Sequence, residues 1–154
     1  MADFEFNALT HSPERLNVIS TKLGTGGADL WTDSEIGKAV KLGSAANHVP
    51  CVDGDEIEGF VDNIDAGPTS GGHTFGGVAR GNRGVRVKAQ IGASQGANAT
   101  LGALVVADDQ VAVGTKGLAQ VRTGTPAVNK WRILSLRGTG AAGTEVILEL
   151  CLSL

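Results

Sequence analysis

Glycine interrupts this chain at short intervals and so limits what it can fold into. Of 154 residues, 23 are Gly, and most apolar or alternating runs end at a Gly-containing turn within eight to twelve positions. Turns at that spacing favour strands over amphipathic helices. The pattern predicts an all-β fold, either a small β-barrel or a β-sandwich (jelly-roll-like), with Gly-rich loops. The predicted strands cover residues 16–22, 38–42, 48–52, 57–64, 74–79, 85–90, 103–107, 110–113, 117–122, 130–136 and 145–152.

Alternation of side chains indicates which strands have one buried and one wet face. The segment VRVKA at 85–89 alternates three apolar residues with Arg86 and Lys88. In the segment 145–154 the even-numbered residues form a strongly apolar face and the odd-numbered residues a mixed one. Since successive side chains of a strand point to opposite faces, both segments are expected to line the core on one side. No repeat of fixed period is apparent.

The first 37 residues differ in character from the rest. They are polar and rich in turn residues, so they predict an extended N-terminal arm (1–37), followed by a single β domain (38–154). A chain of this length buries roughly 70% of its surface on folding, which is enough for a core without metal or disulfide staples. The arm cannot stabilise itself by burial and is expected to order against the domain or a neighbouring subunit, with Phe4, Phe6 and Trp31 as anchors.

Membrane and secretory segments are not expected. The longest uncharged stretches, 66–79 and 89–107, contain too many polar residues and glycines for a membrane span. The N-terminus lacks a basic region followed by an apolar one, so we expect a soluble protein made without export. Cys51 and Cys151 have no CxxC partner, which predicts two buried free thiols.

Two short motifs have structural explanations. GTGAAG at 138–143 matches the dinucleotide-binding pattern, but the segment after it is strand-like, so we do not expect the crossover helix and the ribose-binding acid that this pattern needs. The GTGAAG segment therefore predicts a hairpin loop. DGDE at 53–56 lacks the spacing of a calcium loop, so a turn is favoured, and a divalent ion remains the alternative.

The sequence contains no set of residues typical of an active site. His11, His48 and His73 are scattered, and the chain has no HExxH or GxSxG motif. A Cys51 nucleophile with His48 or His73 as base is conceivable, yet no motif indicates an oxyanion hole. We therefore predict that the protein is not an enzyme, with no catalytic residue, metal site or cofactor.

Charge is distributed unevenly along the chain. Residues 1–65 hold 12 acids and 4 bases, whereas 66–154 hold 4 acids and 9 bases, and the formal net charge is −3. Six acids lie within 53–65, and Arg80, Arg83, Arg86 and Lys88 form a basic cluster. The two blocks either give opposed faces that attract copies or partners, or neutralise each other within the domain. The basic cluster lacks stacking aromatics, so direct nucleic-acid contact is not expected.

The central block resembles a known class of virion proteins. GKAVKLGSAANHVPCVDGDEIEGFVDNID, followed by a Gly-rich stretch and GVARGNRGVRVKA, is similar to the head decoration (cement) proteins of tailed bacteriophages. The similarity runs over roughly residues 37–90, with a weaker match in GTKGLAQV at 114–121 and in the closing strand. The first 36 residues lie outside it.

The resemblance implies a structural virion protein on the outer surface of the capsid, made in the host cytoplasm. Its expected partners are the major capsid protein and itself, as dimer or trimer, with no membrane contact. It would cement neighbouring capsid subunits and stabilise the expanded head by mass action. From chain position and charge, the arm residues Phe4, Phe6 and Trp31 and the cluster of Arg80, Arg83, Arg86 and Lys88 are the expected contacts.

Two other classes of function remain as alternatives. A β-sandwich carbohydrate-binding module would explain the small size and exposed loops, but such sites present Trp or Tyr platforms, and this chain has no Tyr and only Trp31 and Trp131. A small hydrolase or metal enzyme would require His48, Cys51 and an acid to converge.

Overall fold

The protein folds as two small closed β-barrels, which confirms the predicted all-β class and selects the barrel over the sandwich. The computed structural model describes residues 16–26, 30–65, 72–81, 83–110 and 118–152. A 3-10 helix at Asp33–Glu35, closed by a Thr32 cap, accompanies ten strands. The strands are β1 (Leu16–Leu23), β2 (Ala39–Leu42), β3 (Asn47–Pro50), β4 (Gly59–Ile64), β5 (Thr74–Gly81), β6 (Arg86–Ile91), β7 (Leu104–Ala107), β8 (Ala119–Thr123), β9 (Lys130–Leu136) and β10 (Glu145–Leu152).

The first five strands form barrel 1 and the last five form barrel 2. In barrel 1 the order is β1-β3-β2-β4-β5, closed by antiparallel pairing of β5 with β1. In barrel 2 the order is β10-β6-β8-β7-β9, closed by antiparallel pairing of β9 with β10. Each barrel contains one parallel pair, β1 with β3 and β6 with β8. The remaining pairs are antiparallel.

The two barrels have the same topology. Numbered within each barrel, the strands follow the cyclic order 1-3-2-4-5 in both, with the parallel pair at the same place. Equivalent loops make equivalent hydrogen bonds: the Gly37 N–H donates to the Val61 carbonyl at 2.8 Å, and the Gly102 N–H donates to the Ile133 carbonyl at 2.8 Å. The chain is therefore a structural duplication, which the sequence did not predict.

Side chains alternate along the strands of barrel 1. One set points into the interior of barrel 1, and the other set packs against barrel 2. Val40, Val61 and Val78 pack with Leu23 and Trp31 inside barrel 1. Their chain neighbours Ala39, Phe60 and Ala79 belong instead to the core cluster that fills barrel 2. The Phe60 ring meets the Trp131 ring edge to face, with centroids 5.3 Å apart. Burial of these apolar faces joins the two barrels through one continuous core.

An acidic loop, residues 51–58, extends from barrel 1 across barrel 2. The Gly54 N–H donates to the Ala107 carbonyl at 3.0 Å, and the Ala107 N–H donates to the Asp55 carbonyl at 2.8 Å. Cys51 and Ile57 bury their side chains in the shared core. Gly54 has a φ of +87°, a conformation that favours glycine, so the predicted Asp-Gly turn is confirmed.

Ten of the eleven predicted strands are confirmed. The exception is 110–113, because Gln110 lies outside any strand and its three successors fall outside the described residues. The side chain of Gln110 instead links neighbouring segments. Its Oε1 accepts hydrogen bonds from the Ala39 N–H at 3.0 Å and from the Gln120 N–H at 3.2 Å. The GTGAAG segment is a hairpin loop between β9 and β10, as predicted.

Part of the predicted N-terminal arm belongs to barrel 1. Residues 1–15, which include Phe4 and Phe6, lie outside the described residues. Leu16–Leu23 is strand β1, paired over its whole length with β5. Trp31 is only 6% exposed and lies in the interior of barrel 1. The described part of the arm therefore orders against the domain of its own chain.

Candidate functional site

A cleft of about 500 Å³ opens where barrel 1 meets barrel 2. We call it the inter-barrel cleft. Barrel 1 contributes the end of β2, the acidic loop and Arg80 of β5, and the segment before β9 forms the opposite wall. The lining residues are Lys41, Leu42, Asp55, Glu56, Glu58, Arg80, Val128 and Asn129.

Glu58 occupies a central position in the inter-barrel cleft. Its Oε2 accepts a hydrogen bond from the Leu42 N–H at 2.9 Å. Its Oε1 lies 3.5 Å from Arg80 Nη2 and 3.8 Å from His48 Nε2. The carboxylate thus caps the open edge of β2 and stands between two basic groups.

His48 is buried beneath Glu58. Its Nδ1 lies 3.1 Å from Thr21 Oγ1, while Nε2 has no hydrogen-bond partner among the described residues. Removal from water lowers the pKa of His48, and nearby Arg80 acts in the same direction, whereas the facing Glu58 carboxylate acts against them. The neutral form of the imidazole is therefore favoured over the charged form.

The other charged residues of the cleft have partners within the chain. Lys41 Nζ lies 2.7 Å from Asp55 Oδ2. Glu56 Oε1 accepts from the Val128 N–H at 2.8 Å and from the Asn129 N–H. These contacts fasten the acidic loop to both barrels and satisfy backbone donors that precede β9.

Cys51 and His48 do not form a nucleophile and base pair. Cys51 Sγ faces the Glu56 carbonyl at 3.7 Å, whereas His48 faces Thr21 and Glu58. Burial, assisted by the nearby Asp55 carboxylate, raises the pKa of Cys51 to about 12. A thiol with so little thiolate at neutral pH is a poor nucleophile.

The carboxylates of the DGDE segment face different partners. Asp53 pairs with Arg122 Nε, Asp55 with Lys41, and Glu56 caps backbone N–H groups. Over the described ranges, no three His, Cys, Asp or Glu side chains come together in a way that could hold a metal ion.

The predicted basic contacts are spread over both barrels. Arg80 pairs with Glu58 on the barrel 1 side of the inter-barrel cleft. Arg86 Nε lies 3.1 Å from Glu149 Oε2, and Glu149 also takes a 2.7 Å contact from Arg132. The Arg132 hydrogen bond, together with that of Arg86, holds the pKa of Glu149 below its usual value, against the opposing effect of partial burial.

Arg83 is exposed, and Lys88 lies at a second, smaller cavity. This cavity of about 300 Å³ is formed with Arg137, Glu145 and Ile147.

The acidic and basic blocks meet at the Glu58–Arg80 pair, and Asp53, Asp55 and Arg86 find partners elsewhere in the chain. Much of the uneven charge is thus neutralised within the protein.

Both tryptophans are core residues. Trp31 is 6% exposed and Trp131 is 2% exposed, so neither ring presents a face to solvent. The exposed large apolar residues of the described chain are aliphatic: Val18, Leu30, Leu42, Val52 and Leu101.

Sequence reasoning did not find the inter-barrel cleft or the role of Glu58. Leu42 and Glu58 lie within one barrel, but Val128 and Asn129 come from a distant part of the chain, and no local pattern indicates that they meet.

Comparison with models of known protein families found no match, and comparisons with curated proteins and with solved structures found none either. In the described part of the chain, no helix has the length and apolar character needed to cross a membrane.

Proposed function

We propose that the protein is a structural virion protein that binds the outside of a bacteriophage capsid and cements neighbouring major capsid subunits in the expanded head. The observation that carries the proposal is the duplication. Two barrels of one topology, joined through a shared core, offer two similarly built modules at a fixed spacing. Such an arrangement suits a protein that bridges two identical neighbours, because the second contact then forms at high effective concentration.

The pattern of residues 37–90, which resembles that of head decoration proteins, agrees with the same function. The region holds the acidic loop and β2 to β5, so it covers most of barrel 1 and its junction with barrel 2. The buried, poorly nucleophilic Cys51 and the internally paired carboxylates agree with a role in binding rather than catalysis.

The alternative of a carbohydrate-binding module is less well supported. Sugar sites commonly rely on the exposed face of an aromatic ring. Both Trp residues are buried and Tyr is absent, so neither residue type supplies such a platform.

Sedimentation with capsids tests the proposal. The purified chain is mixed, at physiological salt, with expanded heads that lack it and with unexpanded heads of the same phage. We expect saturable co-sedimentation with expanded heads and greater resistance of these heads to heat. If the protein stays in the supernatant with both kinds of head, the proposal is wrong.

A charge reversal in the predicted contact region sharpens this test. Lys88→Glu is expected to weaken head binding about tenfold if the basic cluster meets an acidic capsid surface. Lys22→Glu, which changes an exposed lysine of β1, is the matched control and should bind as the native chain does.

A further inference from the structure

The cavity of about 300 Å³ on barrel 2 lies on the outer face of the barrel, where β6 and β10 pair; we call it the small cavity. Ile147 pairs with Lys88 across these strands, and both line the small cavity together with Arg137, Glu145 and Val146. Lys88 makes no ion pair with any residue that the structure describes. The Arg137–Glu145 pair is loose, with 3.9 Å between Nη1 and Oε2 and both side chains at least half exposed. The small cavity thus combines an aliphatic side chain with two accessible bases.

The barrel fold does not require the small cavity, because barrel 1 fills the equivalent place. Ile147 pairs with Ser135 at a one-residue register shift between β9 and β10. Gly77 pairs with Asn63 at the corresponding shift in barrel 1, so Gly77 is the equivalent of Ile147. There Asn63 Oδ1 accepts a hydrogen bond from the Gly77 N–H at 3.1 Å, and the Asn63 side chain takes the space that a side chain at position 77 would need. Barrel 1 therefore closes with its own residue a place that barrel 2 leaves open.

The acidic loop carries an exposed side chain that suits the small cavity. Val52 is 54% exposed, and the N–H of the next residue, Asp53, donates to Asp109 Oδ1 at 2.9 Å. Asp53 and Asp109 are exposed as well, so two carboxylates lie beside one aliphatic side chain. Asp53 also pairs with Arg122, whereas Asp109 has no basic partner in the described part of the chain.

Charge favours contact between the acidic loop and the face around the small cavity. That face holds four bases and two acids: Arg86, Lys88, Arg132, Arg137, Glu145 and Glu149. The acidic loop, residues 51–58, holds four acids and no base. Some of these charges are paired within the chain, so the attraction left over comes mainly from Lys88, Arg137 and Asp109. Such complementarity speeds encounter and fixes the register of two surfaces.

The acidic loop and the small cavity lie on different sides of barrel 2. The loop is bonded to Ala107 of β7 and to Arg122 of β8, whereas the small cavity lies on β6 and β10. In the closed order β10-β6-β8-β7-β9, the pair β8-β7 faces away from the pair β10-β6. Val52 therefore does not reach the small cavity of its own chain, but a second copy presents the same residue from outside.

We propose that the acidic loop of one copy inserts Val52 into the small cavity of a second copy of this chain. The carboxylates beside Val52 then face the bases beside the small cavity. An apolar side chain seated in a pocket and ringed by polar groups is the usual arrangement at the centre of a protein interface. The two surfaces differ, so the contact is heterologous, and successive copies join as a row or close into a ring.

Sedimentation velocity of the full chain, without capsids, tests the proposal. We expect the average sedimentation coefficient to rise with protein concentration up to about 1 mM, and to rise less at high salt. Val52→Lys and Lys88→Glu should each weaken association more than about tenfold. The matched controls Val18→Lys and Lys22→Glu, which change an exposed valine and an exposed lysine of β1, should associate as the native chain does.

A mixture of the two interface variants identifies the surfaces that meet. The Val52→Lys chain retains its small cavity, and the Lys88→Glu chain retains its acidic loop. An equimolar mixture should therefore form one-to-one dimers that grow no further, although neither variant associates alone. In the native chain, the amide chemical shifts that change with concentration should lie at residues 52–54 and around the small cavity.

A native chain that stays monomeric, single variants that associate as the native chain does, or a mixture that forms no dimer would overturn the proposal. Concentration-dependent chemical shifts at other places on the barrels would overturn it too. Since no capsid is present, these outcomes leave the co-sedimentation test of the proposed function unaffected.

Discussion

At the scale of single residues, His48 makes stability depend on pH. Burial holds the pKa of its imidazole below the usual value of 6.5. The unfolded chain therefore binds this proton more readily than the folded one, and stability present above pH 6.5 is lost as the pH falls towards the folded pKa. The carboxyl groups with lowered pKa values, Glu35, Asp108 and Glu149, act in the same direction, but below about pH 4.5.

We predict that the free energy of unfolding decreases between pH 7.5 and pH 5.5 and that His48→Gln flattens this dependence. Urea denaturation at several pH values across that window measures it. The substitution also removes the contact with Thr21, so the slope of stability against pH, rather than the absolute stability, is the relevant quantity. A slope as steep in the variant as in the native chain would contradict the prediction.

The two thiols should differ in reactivity. Cys51 is 1% exposed and its pKa is about 12, whereas Cys151 is half-buried on β10. At pH 8 we expect iodoacetamide to modify Cys151 in the folded protein and to reach Cys51 only after unfolding, since the thiolate is the reactive form. Peptide mass mapping with and without denaturant measures this. Rapid labelling of Cys51 in the native state would contradict the burial of this thiol.

At the scale of elements, turn positions and side-chain alternation predicted most strands. Alternation is local, so the faces of β6 and β10 could be assigned from the sequence, and both are confirmed by burial. The duplication was not predictable in this way. Val61 and Ile133 are equivalent and similar, but the residues before them are Phe60, which packs on the other barrel, and Arg132, which is exposed. The two equivalent positions have different surroundings in the fold, so they carry different side chains.

The partners of the acidic loop could not be predicted for a related reason. Asp53 reaches Arg122 and Glu56 reaches Val128, at separations of 69 and 72 positions. Such contacts depend on how the barrels pack, and a single sequence carries no local pattern for that. The sequence predicted a turn at this loop, but only the fold explains why its carboxylates are needed there.

The β9–β10 hairpin loop offers a graded test of glycine conformation. Gly140 has a φ of +85°, and a Cβ there would lie 2.1 Å from the Ala99 carbonyl oxygen. Gly143 has a φ of +90° but open space around it, and Gly96, in another loop, has open space without a positive φ. We predict that Gly143→Ala costs about 1 kcal/mol and that Gly140→Ala costs clearly more.

Gly96→Ala is the matched control for this series and should be neutral or stabilising by up to about 1 kcal/mol, because it restricts only the unfolded chain. Chemical denaturation of the three variants measures the order. Equal losses at positions 140 and 143 would mean that the loop relaxes away from Ala99 at little cost.

At the scale of the whole molecule, the shared core links the stability of the two barrels. The outer face of barrel 1 is buried only while barrel 2 remains folded, and the acidic loop is bonded to both. If barrel 2 unfolded alone, Phe60 and Ala79 would become exposed to water, at a cost proportional to their apolar area. The proposed bridge between two capsid subunits would also need this coupling, since an uncoupled pair would transmit little force.

We therefore predict that the two barrels unfold in one transition. Trp31 lies inside barrel 1 and Trp131 inside barrel 2, so Trp131→Phe and Trp31→Phe leave one fluorescent reporter in each barrel in turn. Within each variant, fluorescence and far-ultraviolet circular dichroism should give the same urea midpoint, as two-state unfolding requires. Phe60→Ala removes the ring that contacts Trp131. It should lower the free energy of unfolding by several kcal/mol and lower the common urea midpoint accordingly. A fluorescence midpoint that departs from the dichroism midpoint in either variant would show that the barrels are independent units, and the fixed spacing on which the proposed capsid bridge depends would then be lost.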